Sequence, residues 1–269
     1  MKRLLILLVI FSAMIGCKDN KKENDSMTAE NTLIEEEAEG SDNSEEENVL
    51  NIEPVEHATM VMNWDEAVIY VDPVGGSTAF EGFTKPNIIL VTDIHQDHLN
   101  NETLMAVTTD STQIIVPQAV ADKLPKDIKG IVTVVNNGST INKMDFTIEA
   151  IPMYNLRKEA LKFHEKGRGN GYIIEKNGKR VYISGDTEDI PEMRNLKNID
   201  IAFICMNLPY TMPVEAAANA VLEFQPKTVY PYHYRGTEGL SDVEKFKSLV
   251  EAGNKDIKVT QLDWYPNKE

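Results

Sequence analysis

The run Thr92-Asp93-Ile94-His95-Gln96-Asp97-His98-Leu99 constrains this 269-residue chain more than any other stretch. It follows directly on Asn87-Ile88-Ile89-Leu90-Val91-Thr92, a short apolar segment of the kind that forms a strand buried on both faces. Asp93, His95, Asp97 and His98 therefore gather at the C-terminal end of a strand, where α/β folds place their sites. A turn leaving a strand brings alternate residues to one face, so Asp93 and His95 can share one ion while Asp97 and His98 face a second. The chain has only five histidines. Two of them lie here beside two carboxylates, which favours metal ligation over a polar surface loop.

Later segments repeat the arrangement. Ser184-Gly185-Asp186-Thr187 places a carboxylate just after the strand-like Arg180–Ile183, and Gly185 allows close backbone approach. Tyr230-Pro231-Tyr232-His233-Tyr234 does the same with a histidine. One ligand after each of several strands is what a site along a sheet edge requires. Alternating and apolar runs predict strands at 58–62 and 67–73, joined by a turn at 63–66, and further strands at 114–117 and 131–135. A short helix is expected over 119–124 between the latter two. A hairpin-rich block covers 145–151, 171–175 and 180–184. Then strand 199–206, helix 214–224, strand 228–232, helix 241–252 and strand 257–262 alternate. Hairpins followed by alternation imply two mixed sheets with helices outside, an α/β layered sandwich.

Asp-x-His-x-Asp-His after a strand, then Gly-Asp-Thr, then a C-terminal His, resembles the metallo-β-lactamase-fold hydrolases, and most closely their small lactonase-like branch. The likeness runs from about Asn51 to the end, with His57-Ala58-Thr59 leading to Val71-Asp72-Pro73 as the opening hairpin. The resemblance implies a four-layer αββα sandwich with two divalent ions, commonly zinc, between the sheet edges. Carried over by position, His95 matches a ligand of the first metal; Asp97, His98 and His233 match ligands of the second, and Asp186 matches the bridging carboxylate. Asp93 stands where the family has a histidine, and this harder ligand admits manganese or iron as well as zinc. Asn155 stands where the family has its middle histidine. Either His164, nine residues further on, supplies that imidazole, or the first metal is lost; the former is taken here. Asp72 reads as a residue that orients a ligand by hydrogen bonding, and His57 reads as readily as a packing residue as a functional one.

The family chemistry then implies a water acidified toward a pKa of ~7 between the metals, oriented by Asp97, attacking an ester, lactone or amide of a small substrate. Asn155, Tyr210 and Tyr232 are assigned to the substrate, with Tyr154 and Arg235 also nearby. Two other readings remain open: a phosphodiesterase or phospholipase-type hydrolase on the same metals, and a non-catalytic binding lipoprotein with a degraded site. No Gly-x-Ser-x-Gly elbow is present, and Cys205 lies in an apolar run with no neighbouring base.

The N-terminus reads as an address. Lys2 and Arg3 precede a largely apolar stretch of twelve residues, 4–15, too short to span a bilayer, and Met14-Ile15-Gly16-Cys17 resembles a bacterial lipobox. Residues 1–16 are expected to be a lipoprotein signal peptide and Cys17 the lipidated residue. Residues 17–48 carry twelve acids against three lysines and are expected to be a disordered tether. Residues 49–269 are expected to form the hydrolase domain. Lys18 after the cysteine carries no inner-membrane retention signal, so a lipid-anchored place in the bacterial cell envelope, at the outer membrane, is expected. The net charge of −16 and pI of 4.8 argue against nucleic-acid binding. The expected partners are a small-molecule substrate and, through the lipid, the membrane; no protein partner is evident.

Overall fold

Strand signals alternate with turn residues along the chain, and in this computed structural model they build two sheets over residues 49–266, the residues that the structure describes. The expected signal segment, Cys17 and the expected tether lie outside the described residues. In chain order the elements are β1 (Leu50–Glu56), β2 (Thr59–Trp64), β3 (Ala67–Val71), β4 (Ile88–Leu90), α1 (Asn101–Val107), β5 (Gln113–Val116), α2 (Gln118–Ala121) and β6 (Ile131–Val134). The second half adds β7 (Thr140–Lys143), β8 (Phe146–Met153), β9 (Gly169–Lys176), β10 (Lys179–Ile183), α3 (Pro191–Arg194), β11 (Ile201–Cys205), α4 (Val214–Phe224) and β12 (Thr228–Tyr232). A small hairpin of β13 (Arg235–Gly236) and β14 (Gly239–Leu240), then α5 (Val243–Gly253) and β15 (Lys258–Val259), complete it.

The first sheet has the order β1-β2-β3-β4-β5-β6, antiparallel from β1 to β3 and parallel from β3 onward. The second has the order β15-β12-β11-β10-β9-β8-β7, antiparallel from β7 to β10 and parallel from β10 to β15. Side-chain alternation sorts each strand between two layers. In β2, β3 and β4, Met60, Met62, Ile69 and Leu90 enter a core shared with Phe146, Ile148 and Tyr172 of the second sheet and with Val221 and Phe224 of α4. Their neighbours Val61, Tyr70 and Ile89 point the other way and pack against Leu104 and Val107 of α1 and Val120 of α2. The result is the four-layer αββα sandwich.

The sequence reading missed β1, α1, β7, α3 and the β13–β14 hairpin, and the first two show why. β1 is an edge strand, half exposed, and its short Leu50/Ile52 alternation is interrupted at Pro54, a residue that argues against a strand. α1 is seven residues long, with the side chain of Asn100 accepting from Thr103 N at its start and Leu104 and Val107 buried one turn apart. The helix expected over 119–124 is four residues, Gln118–Ala121, and the last strand is only Lys258–Val259. Cys205 is buried in β11, and burial pushes its thiol up to about 12, so it is no nucleophile.

Candidate metal centre

Because β8 and β10 share a direction with β11 and β12, the chain leaves all four at the same edge of the second sheet. The loop after β4 brings Asp93, His95, Asp97 and His98 there; the turns after β10 and β12 bring Asp186 and His233. The long loop from β8 to β9 brings His164. Two groups result, with ligand atoms close enough to share an ion: Asp97, His98, Asp186 and His233, and Asp93, His95 and His164. Asp186 touches both, its Oδ2 lying 3.1 Å from His164 Nε2 and 3.3 Å from His98 Nε2, and its Oδ1 3.1 Å from His233 Nε2.

The far side of each ring is anchored, which decides what the near side can do. Asp72, at the end of β3, accepts from Thr92 N and Thr92 Oγ1, and its Oδ2 lies 2.8 Å from His98 Nδ1. His98 thus donates its Nδ1 hydrogen to a buried carboxylate and turns its Nε2 to the centre. His164 donates from Nδ1 to Tyr210 O at 3.2 Å, leaving Nε2 as a lone pair. Asn207 Nδ2 lies 3.2 Å from His233 Nδ1. The Nε2 atoms of His98 and His233 face each other at 3.1 Å. His164 Nε2 and Asp186 Oδ1 are buried without a hydrogen-bond partner. Converging imidazole nitrogens and orphaned buried acceptors around one carboxylate fit divalent ions, which would satisfy all of them.

The charges agree with that reading. Burial opposes ionisation of Asp186, but His233, His98 and His164 outweigh it and hold the carboxyl well below its usual range. Burial works against a charged His98, yet Asp186, Asp72 and Asp97 raise its pKa well above 6.5. Burial lowers the pKa of His233. Asp97 is the carboxylate that meets the outside: its side chain is 41% exposed, and Oδ2 lies 3.5 Å from His233 Nε2. A cavity of about 300 Å³ opens over these groups, lined by His95, Asp97, Phe163, His164, Asp186, Asn207 and Tyr210.

A family model for the beta-lactamase superfamily domain matches residues 51–233. The chain belongs to the beta-lactamase superfamily. A UPF0173 metal-dependent hydrolase of Pyrococcus abyssi is 31% identical over 176 residues, which is 63% of this chain and 76% of that one. A crystal structure from Parabacteroides distasonis, assigned as a metal-dependent hydrolase, superposes with a TM-score of 0.71 at 40% identity, covering 79% of this chain and 92% of the other. Igni18, a metallo hydrolase from Ignicoccus hospitalis, reaches a TM-score of 0.67 at 22% identity, covering 79% and 94%, and shares the fold. This superfamily member is a metal-dependent hydrolase.

All seven residues expected to hold metal come together, His164 rather than Asn155 reaching the first group. Asn155 needs correcting as a substrate residue. It is buried, and its Nδ2 donates to Ala160 O at 2.9 Å and to Tyr210 O at 2.7 Å, while its backbone N donates to His164 O. It closes the loop that delivers His164. Tyr232 also needs correcting: it is fully buried against Phe203 and Trp264, and its hydroxyl accepts from Gly185 N. Tyr210 does line the cavity. Arg235 does not, its guanidinium lying over the Tyr265 ring. His57 sits against the His233 ring, receives Tyr265 OH at Nδ1 and lies 3.4 Å from Asp97 Oδ2 through Nε2. Sequence reasoning missed Arg168, which forks onto Asp93, and Arg157, which ties Glu188 to Pro209 O and Thr211 O. A glycine-rich stretch with a lone arginine gave no local signal for the first.

Proposed function

We propose that this metal-dependent hydrolase works with two divalent ions, zinc or a harder manganese or iron, and cleaves an ester, lactone or amide bond of a small substrate. One ion is assigned to Asp93, His95 and His164, the other to Asp97, His98 and His233, with Asp186 between them. The observation that carries the reading is the placement of buried Asp186 within 3.3 Å of imidazole nitrogens from both groups. When bound, the ions supply Lewis acidity and a water acidic enough to react near neutral pH. The chain does the rest. Asp97, reaching the cavity with its carboxylate ionised, accepts a hydrogen bond from the attacking water and fixes its direction. His57, accepting a hydrogen bond from the Tyr265 hydroxyl at Nδ1, presents Nε2–H to Asp97 and keeps that carboxylate in place. Phe163 and Tyr210 wall the cavity on the substrate side.

A phosphodiester is the second reading, supported by Lys162, whose Nζ lies 5.0 Å from the Phe163 ring at that wall. The test is a panel of aryl esters, lactones, amides and phosphodiesters, assayed with metal and after chelation. Turnover of a carbonyl substrate that chelation abolishes and zinc or manganese restores is expected. Metal-dependent turnover confined to phosphodiesters moves the assignment to the second reading. We also propose that lipid on Cys17 tethers the domain in the cell envelope, outer membrane included; the basic start, short apolar run and Gly16-Cys17 support it.

A further inference from the structure

The two halves of the centre differ in one respect that bears on how they hold ions. Asp93 is fully buried, and both of its oxygens accept from a single guanidinium: Arg168 Nε reaches Oδ1 at 3.1 Å and Nη2 reaches Oδ2 at 2.9 Å. That guanidinium is itself anchored, since Nη2 also donates to Phe163 O at 2.6 Å, and it lies 3.5 Å from His95 Nε2. The ion-pair partners of Asp97 in the other half are all imidazoles: His57, His98 and His233.

We propose that Arg168 competes with the ion for Asp93, so that the 93/95/164 half binds a divalent ion weakly and the 97/98/186/233 half binds one tightly. The inference rests on the two-ion reading above. A carboxylate offers about four lone-pair directions. The fork engages one on each oxygen of Asp93, and His95 Nδ1 lies 2.8 Å from Oδ2. An ion at Asp93 therefore meets a carboxylate already hydrogen-bonded at both oxygens, with a cation beside it that repels a second positive charge. In the absence of an ion the same guanidinium compensates a buried carboxylate that would otherwise be costly. A histidine at position 93 needs no such partner, because a neutral imidazole brings no charge to bury. The Asp93–Arg168 pair thus makes one half of the centre exchangeable while leaving the other half unaffected.

The test is metal titration of the full chain with zinc and with manganese against a competing chelator, alongside elemental analysis after gel filtration, for the wild type, R168Q and R168K. The wild type is expected to keep about one equivalent through gel filtration and to take a second only with free metal present. R168Q is expected to bind the second ion at least tenfold more tightly and to keep about two. Melting without and with added metal provides a second readout. R168Q is expected to melt lower than the wild type without ions and to gain more on loading; R168K, with its single point charge in place of the fork, is expected to shift the same way. Second-site affinity unchanged or weakened in R168Q and R168K overturns the inference. So does a wild type that keeps two equivalents through gel filtration, which leaves the two-ion reading standing. A wild type that binds no metal at any concentration overturns that reading as well.

Discussion

At the scale of single residues, the centre is a set of groups whose protonation states depend on one another. His98 is held protonated in the ion-free fold by Asp186, Asp72 and Asp97 against the opposing effect of burial. Its contribution to stability is complete below its unfolded pKa of about 6.5 and fades as pH rises through the raised folded value. Asp186, lowered by the three imidazoles, behaves oppositely: its contribution is complete above its unfolded value of 3.8 and is lost as pH falls through the folded one. Chelated protein is therefore expected to lose melting temperature as pH rises above about 6.5. Metal-loaded protein is not, because ligation requires neutral imidazoles. Scanning calorimetry across that range decides it; a chelated protein whose melting temperature stays flat or rises contradicts the charge assignment. Except for His164, which lies within the long loop after β8, the metal-facing residues were legible in the sequence because they cluster locally or follow strands directly. Their supports were legible only in part. Asp72 was expected to orient a ligand, though not which one, since it meets His98 across 26 positions; Arg168 meets Asp93 across 75, a pairing that local periodicity cannot carry.

At the scale of elements, strand ends set the positions and loops set the angles. The strands were readable from apolar runs bounded by turn residues, and the two long helices from their amphipathic spacing; α4 has the expected bounds. What escaped were short or exposed elements lacking such a signal, among them the half-exposed edge strand β1 and the two-turn α1. The loop between β8 and β9 shows why a missing histidine was hard to trace. His164 returns to the centre because Asn155 closes the loop on itself through Ala160 O, Tyr210 O and His164 O. Glu188 fixes the loop's start by accepting from Leu156 N and Arg157 N, each at 2.8 Å. Asn155→Ala removes two side-chain hydrogen bonds from a buried site, a loss of roughly 1–3 kcal/mol. It is expected to weaken the ion held by Asp93, His95 and His164 by about 10-fold or more while sparing the other. Competition titration checks this, and equal weakening of both ions contradicts the role given to the loop.

At the scale of the whole molecule, two mixed sheets stack so that one layer of side chains joins them, and the residues that carry chemistry sit where strand ends meet at the rim. The fold class followed from the order of hairpins and alternating helices, since few architectures accommodate both. The N-terminal address is tested separately: full-length chain expressed in a bacterium is expected to partition into detergent, and Cys17→Ser to stay in the aqueous phase. Partition of the Cys17→Ser chain into detergent removes lipid as the anchor. The central claim, that Asp186 joins two ion-binding groups into one hydrolytic centre, has a more direct test. Equilibrium dialysis of the chelated chain against saturating zinc should give about two equivalents per chain, and Asp186→Ala should lose affinity for both. Zero equivalents, or an Asp186→Ala chain that binds two ions as tightly as the wild type, would contradict it.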